Sequence, residues 1–412
     1  MKVLFVSNLF PDSTAPGHGQ VNATVLHQLA RHCEIRVIAP RPMLPFKSWR
    51  GRTPRDEDKI FQPLYVRTFY VPKFGGPWNH RLMARALREP VRRLRAEFPY
   101  DVVLGAWVYP DACALDLLAP ELQAPLVAIA QGTDVHSYLH MPLRRHAIVQ
   151  ALSRAAATIT RSRDLSTRLH DAGVPFMKLR PIYNGVDTAT FRPGDAQAAR
   201  KELGLPTDSQ MILYAGNFLP VKNPLLLVSA HARLCRNAAE PCELVMIGSG
   251  PLESKLRRMA GKLGFGANVR FVGRKSPAEV ARFMQAADLL CVPSKQEGVP
   301  NVILEAFACG LRTVATRVGG IPEVLDKDFL GRLVPNADVD ALAKALGQTL
   351  MEAPDRAAIL RHAAQFSWEQ TTERYMSVLE EACESAHLIA CTRNLPAATT
   401  NADSPDPSSS AR

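Results

Sequence analysis

The chain has 412 residues, 47% of them hydrophobic and 22% charged, the composition of an ordinary soluble globular enzyme, and its length can bury two cores. Its formal net charge of +11 points to an anionic partner, whether nucleotide, phospholipid surface or nucleic acid, without choosing among them. No stretch reaches the length of a membrane-spanning helix, so any membrane contact is expected to be peripheral.

In chain order, "MKVLFVSNLF" has too short an apolar run for a secretion signal, lacks a small-residue cleavage site and reads as a first strand. "PGHGQVNATVLHQLA" then sets Gly17 and Gly19 before an apolar-periodic helix, where backbone amides could approach a phosphate. "EIRVIAP", "DVVLGAW", "PLVAIA", "ATIT" and "KLRPIYN" continue the rhythm of buried strands and helix-length segments, as in a parallel sheet covered on both faces. Between them, "NHRLMARALREPVRRLRAEF" puts Arg81, Arg85, Arg88, Arg92 and Arg95 on one helical face, with a kink expected at Pro90. With Phe46 and Trp49 upstream, that face suits an anionic lipid surface, and a solvated cationic face is the alternative.

After the polar stretch "FRPGDAQAARKELGLPTDSQ" the rhythm restarts with "MILYAG", "ELVMIG", "VRFVG", "DLLCVPS" and "RTVATRVG". The expected fold class is therefore α/β, two doubly wound Rossmann-like domains facing a central cleft. The expected divisions are 1–184, 185–365, a terminal helix over 366–387 that could return to the first domain, and a disordered tail over 388–412.

"YAGNFLPVKNP" places Lys222 just beyond a buried strand, and "MIGSGPLESKL" sets Gly248 and Gly250 at another strand end without a P-loop or six-residue glycine pattern. In "EGVPNVILEA", Glu297 falls in a strand-to-helix loop and Glu305 inside an apolar helix. A carboxylate there suits a vicinal diol such as a ribose, and the free amides at the helix start suit a diphosphate; the alternative is that Glu305 reaches solvent or an arginine. The eight cysteines are scattered with no C-x-x-C pair, so a reducing cytoplasm and no zinc site are expected. The Asp-x-Asp pairs at Asp56 and Asp58, Asp326 and Asp328, and Asp338 and Asp340 do not end apolar strands, and no metal is expected in the mechanism.

"SKQEGVPNVILEAFACG", with "NGVD", "YAGNFLPVKNP", "MIGSGPLESKL", "FVGRKSPAEV" and "VATRVGGIPEVL", closely resembles the retaining GT-B glycosyltransferases of family 4, nearly from end to end. The resemblance implies that Glu297 contacts the donor sugar's hydroxyls, Glu305 the nucleotide ribose and Lys222 the donor diphosphate. It also implies that Gly298, Val299, Asn301 and Val302 belong to the loop and helix start that meet sugar and phosphate, and that Gly17 and Gly19 face diphosphate and acceptor. Gly250 lies in a matching glycine loop, and Arg274 lies in the segment that frames the base.

Two departures stand out. Gln131 occupies a position where many members carry histidine, and Asn217 one where many carry arginine. Gln131 can hydrogen-bond a sugar hydroxyl but cannot titrate, and Asn217 donates without charge. The implied activity is cytoplasmic transfer of a sugar from a nucleotide diphosphate donor, most simply a UDP-sugar, to a hydroxyl of a cell-surface polysaccharide or lipid-linked glycan precursor, with no cofactor. A sugar epimerase on the same fold is one alternative. A non-catalytic nucleotide-sugar or RNA binder is the other, and nucleic acid is otherwise not expected as a partner.

Overall fold

In a computed structural model, residues 1–44, 51–237 and 242–393 are described. The first sheet contains β1 (Lys2–Val6), β2 (Glu34–Met43), β3 (Leu64–Phe69), β4 (Val102–Ala106), β5 (Leu126–Ala130), β6 (Ala157–Thr160) and β7 (Leu179–Pro181). The second contains β8 (Met211–Ala215), β9 (Glu243–Ile247), β10 (Val269–Gly273), β11 (Leu289–Val292), β12 (Arg312–Thr316) and β13 (Gly331–Val334). Their orders are β3-β2-β1-β4-β5-β6-β7 and β10-β9-β8-β11-β12-β13, and every pairing between these strands is parallel.

Each sheet is buried on both faces, which is why its central strands are continuously apolar. Val102 and Leu104 of β4 enter one core with Val3 and Phe5 of β1, whereas Val103 enters another with Leu4 and Val6. Met211 and Leu213 of β8 likewise face away from Ile212 and Tyr214. The two strands that the apolar rhythm does not reveal, β3 and β13, are both sheet edges. "LYVRTF" and "GRLV" each cover only one neighbour and keep partly exposed arginines at their centres, so they lack the continuous apolar run.

The chain crosses between the sheets twice at one place. Val186 donates from its backbone N–H to the Phe366 carbonyl at 2.8 Å and forms a parallel bridge with Ser367. The helix Trp368–Arg393 then lies against the first sheet, with Trp368, Tyr375, Val378 and Leu379 in the same core as Val3 and Leu104. It continues helically past residue 387 to Arg393; residues 394–412 of the expected tail lie outside the described residues.

The arginine-rich helix runs Asn79–Glu97 with Pro90 inside it, so Pro90 does not end it. It buries Met83, Ala84, Leu87 and Val91. Its cationic face is partly engaged within the protein. Arg88 and Arg92 meet Glu121 at 2.8 and 3.4 Å, and Arg95 donates to the carbonyls of Tyr100 and Gln123. Phe46 and Trp49 lie outside the described residues. Among the described residues no helix is long and apolar enough to cross a membrane.

Candidate functional site

In an open parallel sheet a crevice opens where neighbouring strands send their connections to opposite faces, at the carboxyl ends of the strands. The second sheet reverses between β8 and β11. The loop after β8 carries Asn217 and Lys222, and the loop after β11 carries Glu297 and Gly298. The first sheet reverses between β1 and β4, so the loop bearing Gly17 and Gly19 leaves its own switch point. The two crests meet across the cleft: a side chain built on Gly298 would stand 3.9 Å from the Gln131 carbonyl.

Lys222 Nζ donates to both carboxylate oxygens of Glu297, at 2.6 and 2.8 Å, and Ser294 Oγ donates to Oε1 at 2.7 Å. Glu297 is 9% exposed and Lys222 33%, so the ammonium is the more accessible partner. An ammonium has three donors, and two are used here, which leaves one for an incoming oxyanion. The Glu297 loop is backed by "VGG": Gly319 lies directly against the Glu297 carbonyl, and Gly320 donates from its N–H to the Gly298 carbonyl at 3.0 Å. Lys295 N–H also reaches the Val221 carbonyl at 2.8 Å and ties the loop to the Lys222 segment.

Glu305 differs from Glu297 in every contact. It sits on the helix Asn301–Ala308 among buried Ile303, Leu304, Ala306 and Phe307, and it has no side-chain hydrogen bond or ion pair among the described residues. No arginine meets it. Burial alone pushes its carboxyl up to about 7. Its two oxygens are open to donors from outside the described residues.

The helix begins after Pro300 in extended backbone, which leaves Asn301 and Val302 in its first turn. The Asn301 side chain is held at the interdomain crossing, where its Oδ1 accepts from Asn184 Nδ2 at 2.7 Å. Val302 packs its side chain on the core. Both side chains are therefore engaged within the protein, and Val299, 9% exposed, is buried in the same core.

Around the rim, Asn217 is exposed, and Arg274 is exposed with its Nε donating to Ser249 Oγ at 2.8 Å. Gly250, at φ +158°, lets the loop after β9 touch the Phe218 backbone; an added Cβ would lie 2.7 Å from that carbonyl oxygen. On the opposite crest Gly19, at φ +74°, caps the helix Gln20–Leu29, and a Cβ would collide with the Leu9 backbone at 2.2 Å. Gly17 has open space around it, so its conformation does not demand glycine.

Gln131 donates from Nε2 to Asn22 Oδ1, and Asn22 in turn donates to the Leu9 carbonyl at 2.8 Å. Its backbone is fixed by Asp134, fully buried, which accepts from the amides of Gln131 at 3.1 Å, Gly132 at 2.8 Å and Val108 at 2.9 Å. Burial nevertheless raises the Asp134 carboxyl. His136 is not brought to Gln131's position; it faces Asp164 at 3.8 Å.

The sequence reading passed over three residues. Asp111 is fully buried beside β1, accepts from Asn8 N–H at 3.2 Å and Nδ2 at 2.7 Å, and is pushed well up by burial. Asn22 orients Gln131. Glu323 of the second domain accepts from the amides of Arg163 and Asp164 at 2.7 and 2.8 Å and from Tyr183 Oη at 2.8 Å, latching onto the start of a helix in the first. The acid in "WVYPD", the loop after the strand "VVLGA", was the available signal for Asp111; for Asn22 and Glu323 there was none, since each acts through a partner more than a hundred positions away.

The Asp-x-Asp pairs do not gather at the cleft. Asp58 is spent on Arg55 and His27, and Asp338 caps the helix Val339–Met351 by accepting from Ala341 N–H at 2.8 Å. The cysteines are less scattered than their spacing suggests, because His231, Cys235 and Cys242 converge in the core of the second domain.

Two parallel α/β domains thus face one another with their switch points, and the Lys222–Glu297 pair stands on the second-domain crest. The family models agree: residues 17–190 match "Glycosyltransferase Family 4" and residues 195–366 match "Glycosyl transferases group 1". The chain is 35% identical over 386 residues to the D-inositol 3-phosphate glycosyltransferase of Mycolicibacterium paratuberculosis, covering 86% of this chain and 82% of that one. It is 36% identical over 231 residues to the protein of that name in Saccharomonospora viridis, where the match spans 53% of each. Among solved structures, Anabaena Alr3699/HepE in complex with UDP superposes with a TM-score of 0.73 at 20% identity, covering 92% of this chain and 100% of that one. Sucrose-phosphate synthase from Thermosynechococcus elongatus superposes with a TM-score of 0.66 at 22% identity, covering 95% and 99%. The protein belongs to the family 4, group 1 glycosyltransferases and has the GT-B fold.

Proposed function

We propose that the enzyme transfers a sugar from a nucleotide diphosphate donor, a UDP-sugar in the first instance, to an acceptor hydroxyl with retention at the anomeric carbon. The observation that carries this is the pairing of a Lys222–Glu297 cluster that keeps one ammonium donor to spare with a half-buried Glu305 that has no partner among the described residues, at one switch point. Glu305 takes the ribose diol, the amides of Val299, Asn301 and Val302 face the diphosphate, and the third Lys222 proton meets the phosphate oxygen that becomes the leaving group. Glu297 receives the sugar's hydroxyls, with Gln131 and Asn217 contributing uncharged hydrogen bonds from either side. Gly17, Gly19, Gly250 and Arg274 shape the rim that encloses diphosphate and base.

The route that fits these contacts is front-face substitution. The bond from the anomeric carbon to the diphosphate oxygen breaks, the acceptor oxygen bonds the same face, and its proton passes to the departing oxygen, whose charge Lys222 and the helix amides stabilise. Double displacement through Glu297 fits less well, because both Glu297 oxygens already accept hydrogen bonds from Lys222. No cation is given a part in this route.

The relatives' names supply a second acceptor class beside the polysaccharide or lipid-linked precursor: a small phosphorylated polyol. The arginine face bears on the choice: Arg88, Arg92 and Arg95 are bonded within the protein, and the exposed Arg81 and Arg85 have no ion-pair partner among the described residues and would attract an anionic membrane. The test is UDP release from UDP-sugars with D-inositol 3-phosphate or a lipid-linked glycan as acceptor. Release that depends on one acceptor assigns the class; interconversion of the sugar without any acceptor, or tight UDP binding without turnover, would overturn transfer.

A further inference from the structure

At the end of the second sheet opposite the cleft, the helix Pro224–Asn237 presents His231 and Cys235 one turn apart on a single face, and the chain returns at Cys242 to enter β9. All three are buried, at 0%, 7% and 4% exposure, among Leu227, Leu244 and Leu346. We propose that these residues form a structural site for a thiophilic divalent cation, zinc above all, with the two sulfurs and the imidazole as ligands and the Cys242 carbonyl beside them as the fourth oxygen donor.

The spacing is the first argument. With metal–sulfur bonds of about 2.3 Å and metal–nitrogen bonds of about 2.0 Å, the edges of a tetrahedral site are about 3.5 to 3.8 Å long. Cys235 Sγ stands 3.5 Å from His231 Nε2 and 3.8 Å from the Cys242 carbonyl oxygen, and the ligand atoms of the three side chains all lie within 4.8 Å of one another. One edge is short: His231 Nε2 lies 2.8 Å from the Cys242 carbonyl, to which it donates. Metal binding requires that the two thiol protons leave, that the imidazole carry its proton on Nδ1 instead of Nε2, and that the edge open by about half an ångström.

Electrostatics is the second argument. Two thiolates and a neutral imidazole cancel a dication, so the loaded cluster buries no net charge, whereas two adjacent thiolates alone would be costly in this core. A bound dication would hold both sulfurs ionised. The imidazole Nδ1 is buried without a hydrogen-bond partner among the described residues, and the polar contacts of Nε2 lie on the cluster side. A metal would pin the helix to β9 at the end opposite Lys222 and play no part in transfer.

The experiment uses the full chain, stripped with a chelator and titrated with cobalt(II) and then zinc(II). One equivalent of cobalt should give thiolate-to-metal charge-transfer absorption that zinc abolishes, and the band should be lost in Cys235→Ser/Cys242→Ser but kept in the control Cys291→Ser. Because the double variant could fail to fold, X-ray absorption on zinc-loaded wild type gives an independent reading, with two sulfurs expected at about 2.3 Å. A shell of nitrogen and oxygen alone, or binding without the charge-transfer band, would mean an adventitious surface ion and overturn the proposal.

Discussion

The two crests of the cleft treat their carboxylates in opposite ways. On the first-domain side Asp134 is buried and accepts from three backbone amides, so it spends its acceptor capacity on shaping loops. On the second-domain side Glu297 is held by a lysine that retains a free donor, and Glu305 meets no side-chain partner among the described residues. The lesson is that an acid fully satisfied by the chain's own amides is scaffold, whereas an acid left short of donors, or tied to a cation with capacity to spare, is where a ligand completes the bonding.

The sharpest break in that contrast is Lys222→Ala. It removes the charge facing the leaving group and leaves the Glu297 carboxylate without its cation, and turnover should fall about 10²- to 10³-fold while circular dichroism stays native. Acceptor-dependent UDP release measures it, and a loss below about threefold would return Lys222 to the status of a surface lysine. Asp134→Ala should act on the opposite quantity. With the amides of Val108, Gln131 and Gly132 left unpaired in the interior, unfolding free energy should drop by roughly 3 kcal/mol in urea titrations. A stable Asp134→Ala protein that binds no donor would instead place Asp134 in the site.

Glu305→Gln should weaken UDP binding by roughly 1.5 to 3 kcal/mol in calorimetry with the fold intact. The smallest effect is the most diagnostic. Burial holds the free Glu305 carboxyl up at about 7, and diol donors favour its ionised form, so the carboxyl must lie lower in the complex than in the free enzyme. The complex then binds fewer protons, and affinity rises with pH through about 7 before levelling off. Between pH 8 and pH 6 the part of the affinity due to Glu305 should fall about tenfold, and the difference in pH profile between wild type and Glu305→Gln isolates it from the titration of UDP itself. Superimposable profiles would remove Glu305 from the ribose site.

The legible parts of this protein were those encoded by local chemistry. Central strands such as "VVLGA" and "LLCV" announce themselves because a parallel strand covered on both faces must be apolar throughout, and the edge strands β3 and β13 escape notice because they need not be. The conflict of Glu305 with its apolar helix was visible in the sequence for the same reason: a charged residue contradicts the local pattern. Its lack of any partner, its carboxyl raised to about 7, the bonding of Lys222 to Glu297 across 75 positions and the use of Glu323 as a latch between domains were decided by tertiary structure, since each depends on which distant groups arrive nearby. Cys235 and Cys242 make the point most simply. Seven positions apart, they match no metal-binding spacing in the chain, yet the return from helix to strand brings their sulfurs together with His231, because proximity in a folded core is set by where elements pack and not by how far apart they lie in sequence.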